Sequence, residues 1–476
     1  MDHHEAVQGS PVPHVWSRST LLVAAVVAVS IGNILAKYWE HWFVPGVLLS
    51  ILAGILGYAA CWAPRGPALP VVWMIAVVAS AVSLDRSPVT PILVPIVVVA
   101  VISAMVTKPR LYPVVLILLA SLIWVSTFEA IHIGSARIDV FNMIQNATTA
   151  LVHGSDPYRS TSAVDDTTTS PPTTYVARYG YGASVLVLAA PGRLLGDVRF
   201  AGAAMMVITG LGILVLCRRT EGGRALQSLS CLMVVSPLAP SMVALAWADV
   251  YAAAPLAVWL ALRDRHRNLG VIALGFCIAA KTTVGAVLLV AALWSRSARR
   301  DLLPGAGVAG LIYVPFIIWD GPGSFWAPFF EGVTGTGPHS LYQNRPDALT
   351  INSLVHALAG NWLPPLVLFA MVVVLAVPVL LTRPRDSCDT LALGAALTIV
   401  ILVSGRLAYL NYYFVATVAL LLALACEGAT DRARDVALPS GIEALMRRAS
   451  LAIFAPYPCS RGCNRSRTAR SIDLKD

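Results

Sequence analysis

The chain has 476 residues, of which 57% are hydrophobic and only 12% charged, and its mean hydropathy is +0.73. Soluble domains carry about 25% charged residues, so this composition excludes a soluble globular protein and defines a polytopic helical membrane protein. The net charge of +9 is scattered over short loops, which excludes a nucleic-acid-binding domain and fits Lys and Arg held on one membrane face.

Apolar runs predict spans over 19–36, 43–62, 69–84, 88–107, 111–131, 200–217, 226–245, 250–262, 269–280, 282–294, 303–319, 363–382, 389–403 and 410–426. The runs are continuous rather than alternating, which argues against a transmembrane barrel. The fold class is therefore all-α, a polytopic membrane bundle of about fourteen helices, in a range of roughly 12–15. Residues 1–18 read as a cytoplasmic N-terminal tail, 19–427 as the membrane domain and 428–476 as a basic cytoplasmic tail. Six of the eight cysteines lie in or beside apolar runs and read as packing residues. Cys459 and Cys463, in the tail, lack the partners a zinc site needs.

Basic clusters set the orientation. Lys108 and Arg110, Arg218, Arg219 and Arg224, Arg263, Arg265 and Arg267, Arg296, Arg299 and Arg300, and Arg383 and Arg385 all fit on the cytoplasmic side. The stretches 226–262 and 269–294 each start and end beside such clusters, so each reads as a hairpin of two spans. Asp249 falls at the tip of the first hairpin and Lys281 at the tip of the second. Two large loops, 132–199 and 320–362, then face outward, with a short third loop around Arg406. The apolar segment 182–196 contains Pro191 and Gly192 and reads as a re-entrant or interfacial helix.

The outer loops hold the residues suited to chemistry. Asp139 precedes a helical stripe of Phe141, Ile144, Ala147, Ala150 and Leu151. It is placed to cap that helix, or to act as a carboxylate base towards a hydroxyl at the membrane surface. Glu129 is a supporting carboxylate or an interfacial residue. Gly154-Ser155-Asp156-Pro157-Tyr158 is a turn by composition. Asp249 is a second carboxylate at a membrane-span end, where charge is costly. Lys281 stands alone in apolar sequence, and it either snorkels to the outer interface, or binds a phosphate or pairs with a carboxylate facing the bundle interior; Lys281→Ala is expected to leave membrane insertion intact. Arg406 offers a planar guanidinium suited to phosphate. Arg345 and Asp347 are similar candidates in the second outer loop. No P-loop, G-x-S-x-G or zinc-protease pattern occurs.

Several segments together resemble the GT-C superfamily of integral-membrane glycosyltransferases. Within it they resemble the bacterial polyprenol-phosphate-mannose-dependent mannosyltransferases. Asp139-Val140-Phe141 with Gly154-Ser155-Asp156-Pro157-Tyr158 is similar to that family's loop aspartate and later turn. Ala190-Pro191-Gly192-Arg193-Leu194-Leu195-Gly196 is similar to its next helix, Asp249-Val250 to a later helix head, Lys281 to a recurrent lysine, and Asn411-Tyr412-Tyr413-Phe414 to the start of its final helix. The chain departs from the family at Tyr179-Gly180-Tyr181-Gly182, where the family often has Tyr-Pro-Pro, and at Arg406, where it often has lysine.

The resemblance implies a sugar transferred, with inversion, from a polyprenyl-phosphate donor to an envelope glycan or glycolipid at the extracytoplasmic face of the plasma membrane. Asp139 would be the base, Asp249 a second catalytic carboxylate, and Lys281 and Arg406 the donor-phosphate ligands. Some members of the family use a divalent metal, but the residues here do not call for one. The alternatives are a lipid or sugar transporter or flippase, or a non-catalytic relative in envelope assembly. No internal repeat of the transporter kind is visible.

Overall fold

The structure, a computed structural model, describes residues 17–38, 43–63, 139–166, 173–217, 242–321, 348–406 and 408–426, with 121, 124, 125, 127–129 and 131 besides. The spans expected over 69–84 and 88–107, most of those over 111–131 and 226–245, residues 1–16, the tail 428–476, and Arg345 and Asp347 lie outside the described residues.

Helices α1 (Arg18–Tyr38) and α2 (Phe43–Ala60) open the bundle. Helix α3 (Asp139–Val152) leads through a 3-10 turn at Pro157–Arg159 into an antiparallel hairpin of β1 (Thr161–Asp166) and β2 (Thr173–Arg178). Thr161 pairs with Arg178 and Asp166 with Thr173. Then come α4 (Ala183–Leu194), α5 (Val198–Cys217), α6 (Val250–Leu262), α7 (Arg267–Ile278), α8 (Gly285–Trp294) and α9 (Arg296–Asp320). The described chain resumes with α10 (Ile351–Ala359), α11 (Pro365–Leu381), α12 (Ser387–Ser404) and α13 (Leu410–Cys426).

Among the described residues, four helices are long and apolar enough to cross a membrane: α2, α5, α9 and α12. The pair α7–α8 is apolar enough together but turns by 117° at its break. The protein is thus a helical membrane protein. The hairpin modifies the all-α expectation. Its strands are polar and rich in threonine, a β-branched residue that favours extended backbone.

One end of the bundle gathers arginines. Arg18, buried, lies 2.9 Å from Asp386 and 3.1 Å from Asp389. Arg385 lies 2.8 Å from Asp389, Arg263 donates to Ser387 Oγ at 2.9 Å, and Arg267 reaches Asp301 at 2.7 Å. The clusters at 263–267, 296–300 and 383–385 therefore share one end, which ties the starts of α1, α7, α9 and α12 together.

The opposite end holds Asp249, the bend at Lys281, the last turn of α9 and the start of α13. Helix α4 lies across this end. Its 12 residues reach about 18 Å, too short for a hydrocarbon core of about 30 Å. At its head, Gly182 N donates to Ala280 O at 3.1 Å and Ser184 Oγ to Phe276 O at 2.7 Å. Just past its tail, the Val198 carbonyl accepts from Tyr251 at 3.2 Å, two residues from Asp249. Both ends of α4 thus stay at the same end of the bundle.

Helices pack through small residues, as expected where lipid removes the hydrophobic drive between spans. Gly275 of α7 lies against Val308 of α9, and Gly305 of α9 against Leu274, with no room for a Cβ on either glycine. Gly182 is tighter still, because a Cβ there would fall onto the carbonyl oxygens of Ala279 and Ala280. Backbone cannot yield as a flexible side chain does. Gly182→Ala is therefore expected to cost at least about 1–3 kcal/mol, read as a lower melting temperature in detergent. An unchanged melting temperature would mean that α4 does not sit on α7 as described.

Candidate active site

The two hairpin tips meet. Asp249 stands at the head of α6, its side chain fully buried. Lys281 stands at the break between α7 and α8, and its ammonium lies 2.7 Å from Asp249 Oδ2. The same Oδ2 accepts from Asn411 Nδ2 at 2.8 Å, and Oδ1 faces Thr283 Oγ1 at 3.4 Å. The segments at 249, 281–283 and 411 thus meet at one carboxylate. The Lys281 side chain is only 10% exposed. Its ammonium lies 4.4 Å from the ring centre of Tyr412 and 5.8 Å from that of Tyr181. Aromatic faces attract a desolvated cation, so this cage completes what Asp249 begins.

Of the alternatives for Lys281, this geometry selects the pairing with an interior carboxylate, and it corrects the expectation that Lys281→Ala is harmless to the membrane-inserted protein. The charge was unpaired in sequence because its partner lies 32 residues away. Removing one member of a buried pair strands the other, at a cost of roughly 3–5 kcal/mol.

Asp139 begins α3, and its Oδ1 accepts from Val140 N at 2.8 Å. A carboxylate at a helix N-terminus is stabilised by the helix dipole. Asp139 is half-buried, so part of it is open to a reactant. The structure brings Asp249 and Lys281 together beside Tyr412.

Asp156 and Tyr158 form a neighbouring group. Asp156 caps the 3-10 turn, its Oδ1 accepting from Tyr158 N at 2.9 Å. Tyr158 is buried edge-on against Tyr179 and Phe316, at 5.3 and 5.8 Å between ring centres. Its hydroxyl donates to the Tyr181 carbonyl at 3.2 Å, which links the turn to the lysine cage. Arg406 sits half-buried in the turn between α12 and α13, five residues before Asn411. Glu129 is half-buried, next to the Trp124, Phe128 and Phe200 cluster. These two are not drawn into the lysine cage by the contacts above.

Sequence reasoning missed Tyr181, Thr283, Asn411 and Tyr412 as parts of the site. The signal available was Asn411, a polar residue opening a helix that is otherwise buried and apolar.

A divalent cation fits neither the cluster at the arginine end nor the Asp249 site well. Among the described residues the group with three suitable side chains is Asp386, Cys388 and Asp389, and it lies at the arginine end, neutralised by Arg18 and Arg385. At the candidate site the Asp249 carboxylate already serves Lys281, Asn411 and Thr283.

A buried cation, paired with Asp249 and caged by two aromatic rings at one end of an apolar bundle, suits an anionic ligand presented from the membrane. Residues 179–410 match the model of glycosyltransferase family 87. The match runs from the Tyr179 turn through Asp249 and Lys281 to the first residue of α13, and it supports a membrane glycosyltransferase. Neither a curated protein nor a solved structure matches the chain.

Proposed function

We propose that the protein transfers a sugar, mannose, from a polyprenyl-phosphate donor to a glycan or glycolipid acceptor of the cell envelope. The reaction takes place at the extracytoplasmic face of the plasma membrane. The acceptor hydroxyl oxygen attacks the anomeric carbon, and the bond from that carbon to the phosphate oxygen breaks. The phosphate leaves on its lipid with the electron pair. Asp139 takes the hydroxyl proton, an effect worth roughly 10²–10⁴-fold in rate.

Lys281 and Arg406 hold the donor phosphate. Asp249 is too buried to reach an acceptor, and its part is to hold Lys281 beneath the two tyrosine rings. The observation that carries the reading is the buried Asp249–Lys281 pair beneath Tyr412 and Tyr181, inside the segment that matches a glycosyltransferase family.

The test uses washed membranes and a labelled polyprenyl-phosphate mannose. Label should pass to a lipid- or glycan-linked product with wild-type protein and not without it. Donor that crosses the bilayer intact, with no product formed, would replace this reading with a flippase.

A further inference from the structure

The sequence left Asp320 and Arg159 without a role, yet they close a cluster on the turn that carries Tyr158. Asp320 ends α9, where Gly321, at φ 84°, breaks the helix. Its side chain is 1% exposed, and its Oδ1 accepts from Arg159 Nε at 2.8 Å. Arg159 Nε also lies 3.3 Å from Asp156 Oδ2. The Asp156 and Asp320 carboxyls therefore flank the same guanidinium nitrogen. Asp320 Oδ2 and Asp156 Oδ2 are both buried, and no protein N–H or O–H donates to either. Two carboxyls thus meet over one guanidinium.

Charge counting decides what holds them together. If both were ionised, two buried negative charges would face one positive charge that is itself largely exposed and water-screened, and the carboxylates would repel each other. One proton between them removes the repulsion, supplies the missing donor and leaves the cluster neutral with Arg159. The other titratable groups around the turn do not replace it. Tyr158, Tyr179 and Tyr313 are phenols packed around the turn, and the His153 ring is turned to the Thr149 carbonyl at 2.8 Å.

We infer that Asp156 and Asp320 share one proton and together act as positioning residues for Lys281, by clamping the Tyr158 turn, and through it Tyr181, over the ammonium. The path is short. Asp156 holds Tyr158 N, Tyr158 Oη holds the Tyr181 carbonyl, and the Tyr181 ring covers Lys281. Burial, and then the contact with Asp320, push the Asp156 carboxyl above its ordinary value. The closed clamp therefore binds a proton that the opened turn gives up. It is at full strength below the ordinary carboxyl range, about pH 3.9, and weakens as pH rises through the raised value. With one proton linked, the opening constant grows by at most about tenfold per pH unit.

The inference rests on the assignment of Lys281 to the donor phosphate, so the test has one arm that needs no donor. Hydrogen exchange of residues 156–160 is followed from pH 5 to pH 9 on full-length protein in nanodiscs and corrected for intrinsic rates. Wild-type exchange should rise with pH. Asp156→Asn keeps the acceptor for Tyr158 N and gives a permanent donor towards Asp320. Asp320→Asn is its mirror, keeping the acceptor for Arg159. Both variants should stay closed and lose the pH dependence. A flat wild-type profile, or an unchanged slope in both variants, overturns the shared proton.

In the second arm, the KM for labelled donor should rise with pH in wild type and become pH-independent in Asp156→Asn. A KM slope that survives the substitution overturns the link to Lys281. A wild type that transfers no sugar at any pH would remove the proposed function and leave the exchange result standing.

Discussion

Asp139→Asn is expected to lower sugar transfer by roughly 10²–10⁴-fold while the protein stays folded. The carboxylate has two jobs, and the substitution separates them. Its Oδ1 accepts from Val140 N at the head of α3, and an asparagine oxygen does the same with little loss. What disappears is the negative charge and with it the capacity to take a proton from an acceptor hydroxyl. The comparison requires equal amounts of folded protein, checked by melting temperature, because only then does lost turnover report on chemistry. Donor binding should change little, since Lys281 and its cage are untouched. An Asn variant with near-normal turnover would reduce Asp139 to a helix cap and move the base to another group.

The helices were legible because hydropathy reports what lipid and bundle interior both demand. The runs 250–262 and 410–426 coincide with α6 and α13. Boundaries were less clear where polar residues continue a helix. The apolar run 303–319 belongs to α9, which begins at Arg296 because Ser295 caps it, accepting from Ala298 N at 3.2 Å. The hairpin at 161–178 was read as loop, since its residues are polar and do not alternate cleanly between apolar and polar.

At the candidate site, the charge pattern placed Asp249 and Lys281 at two hairpin tips. A carboxylate partner for Lys281 was among the readings, but which tips touch is a matter of helix packing, so neither the identity of that partner nor the part of Asn411 could be read along the chain. Asp320 was hidden for the same reason. It falls at a span end beside Gly321, where a turn is the natural reading, and its partners Arg159 and Asp156 lie more than a hundred and fifty residues upstream.

Lys281 needs a different experiment from the simple truncation its sequence context suggests. Lys281→Ala should reduce folded protein, because it leaves Asp249 buried without its charge partner and with only Asn411 and Thr283 beside it, at a cost of roughly 3–5 kcal/mol. Lost activity in that variant would say nothing about phosphate. The double variant Lys281→Met with Asp249→Asn removes both charges together. Methionine keeps the apolar stem against Tyr181 and Tyr412, and the asparagine keeps an acceptor for Asn411.

Exchanging a whole buried pair for neutral groups of similar size is often close to neutral for stability. The double variant should therefore melt near wild type, well above Lys281→Ala. It should nevertheless fail to use donor, with kcat/KM down by at least about tenfold, since a hydrogen bond to a charged group is worth roughly 1.5–3 kcal/mol. Restored folding with unimpaired donor use would make the Asp249–Lys281 pair a strut between α6 and α8, and the donor phosphate would then fall to Arg406 alone.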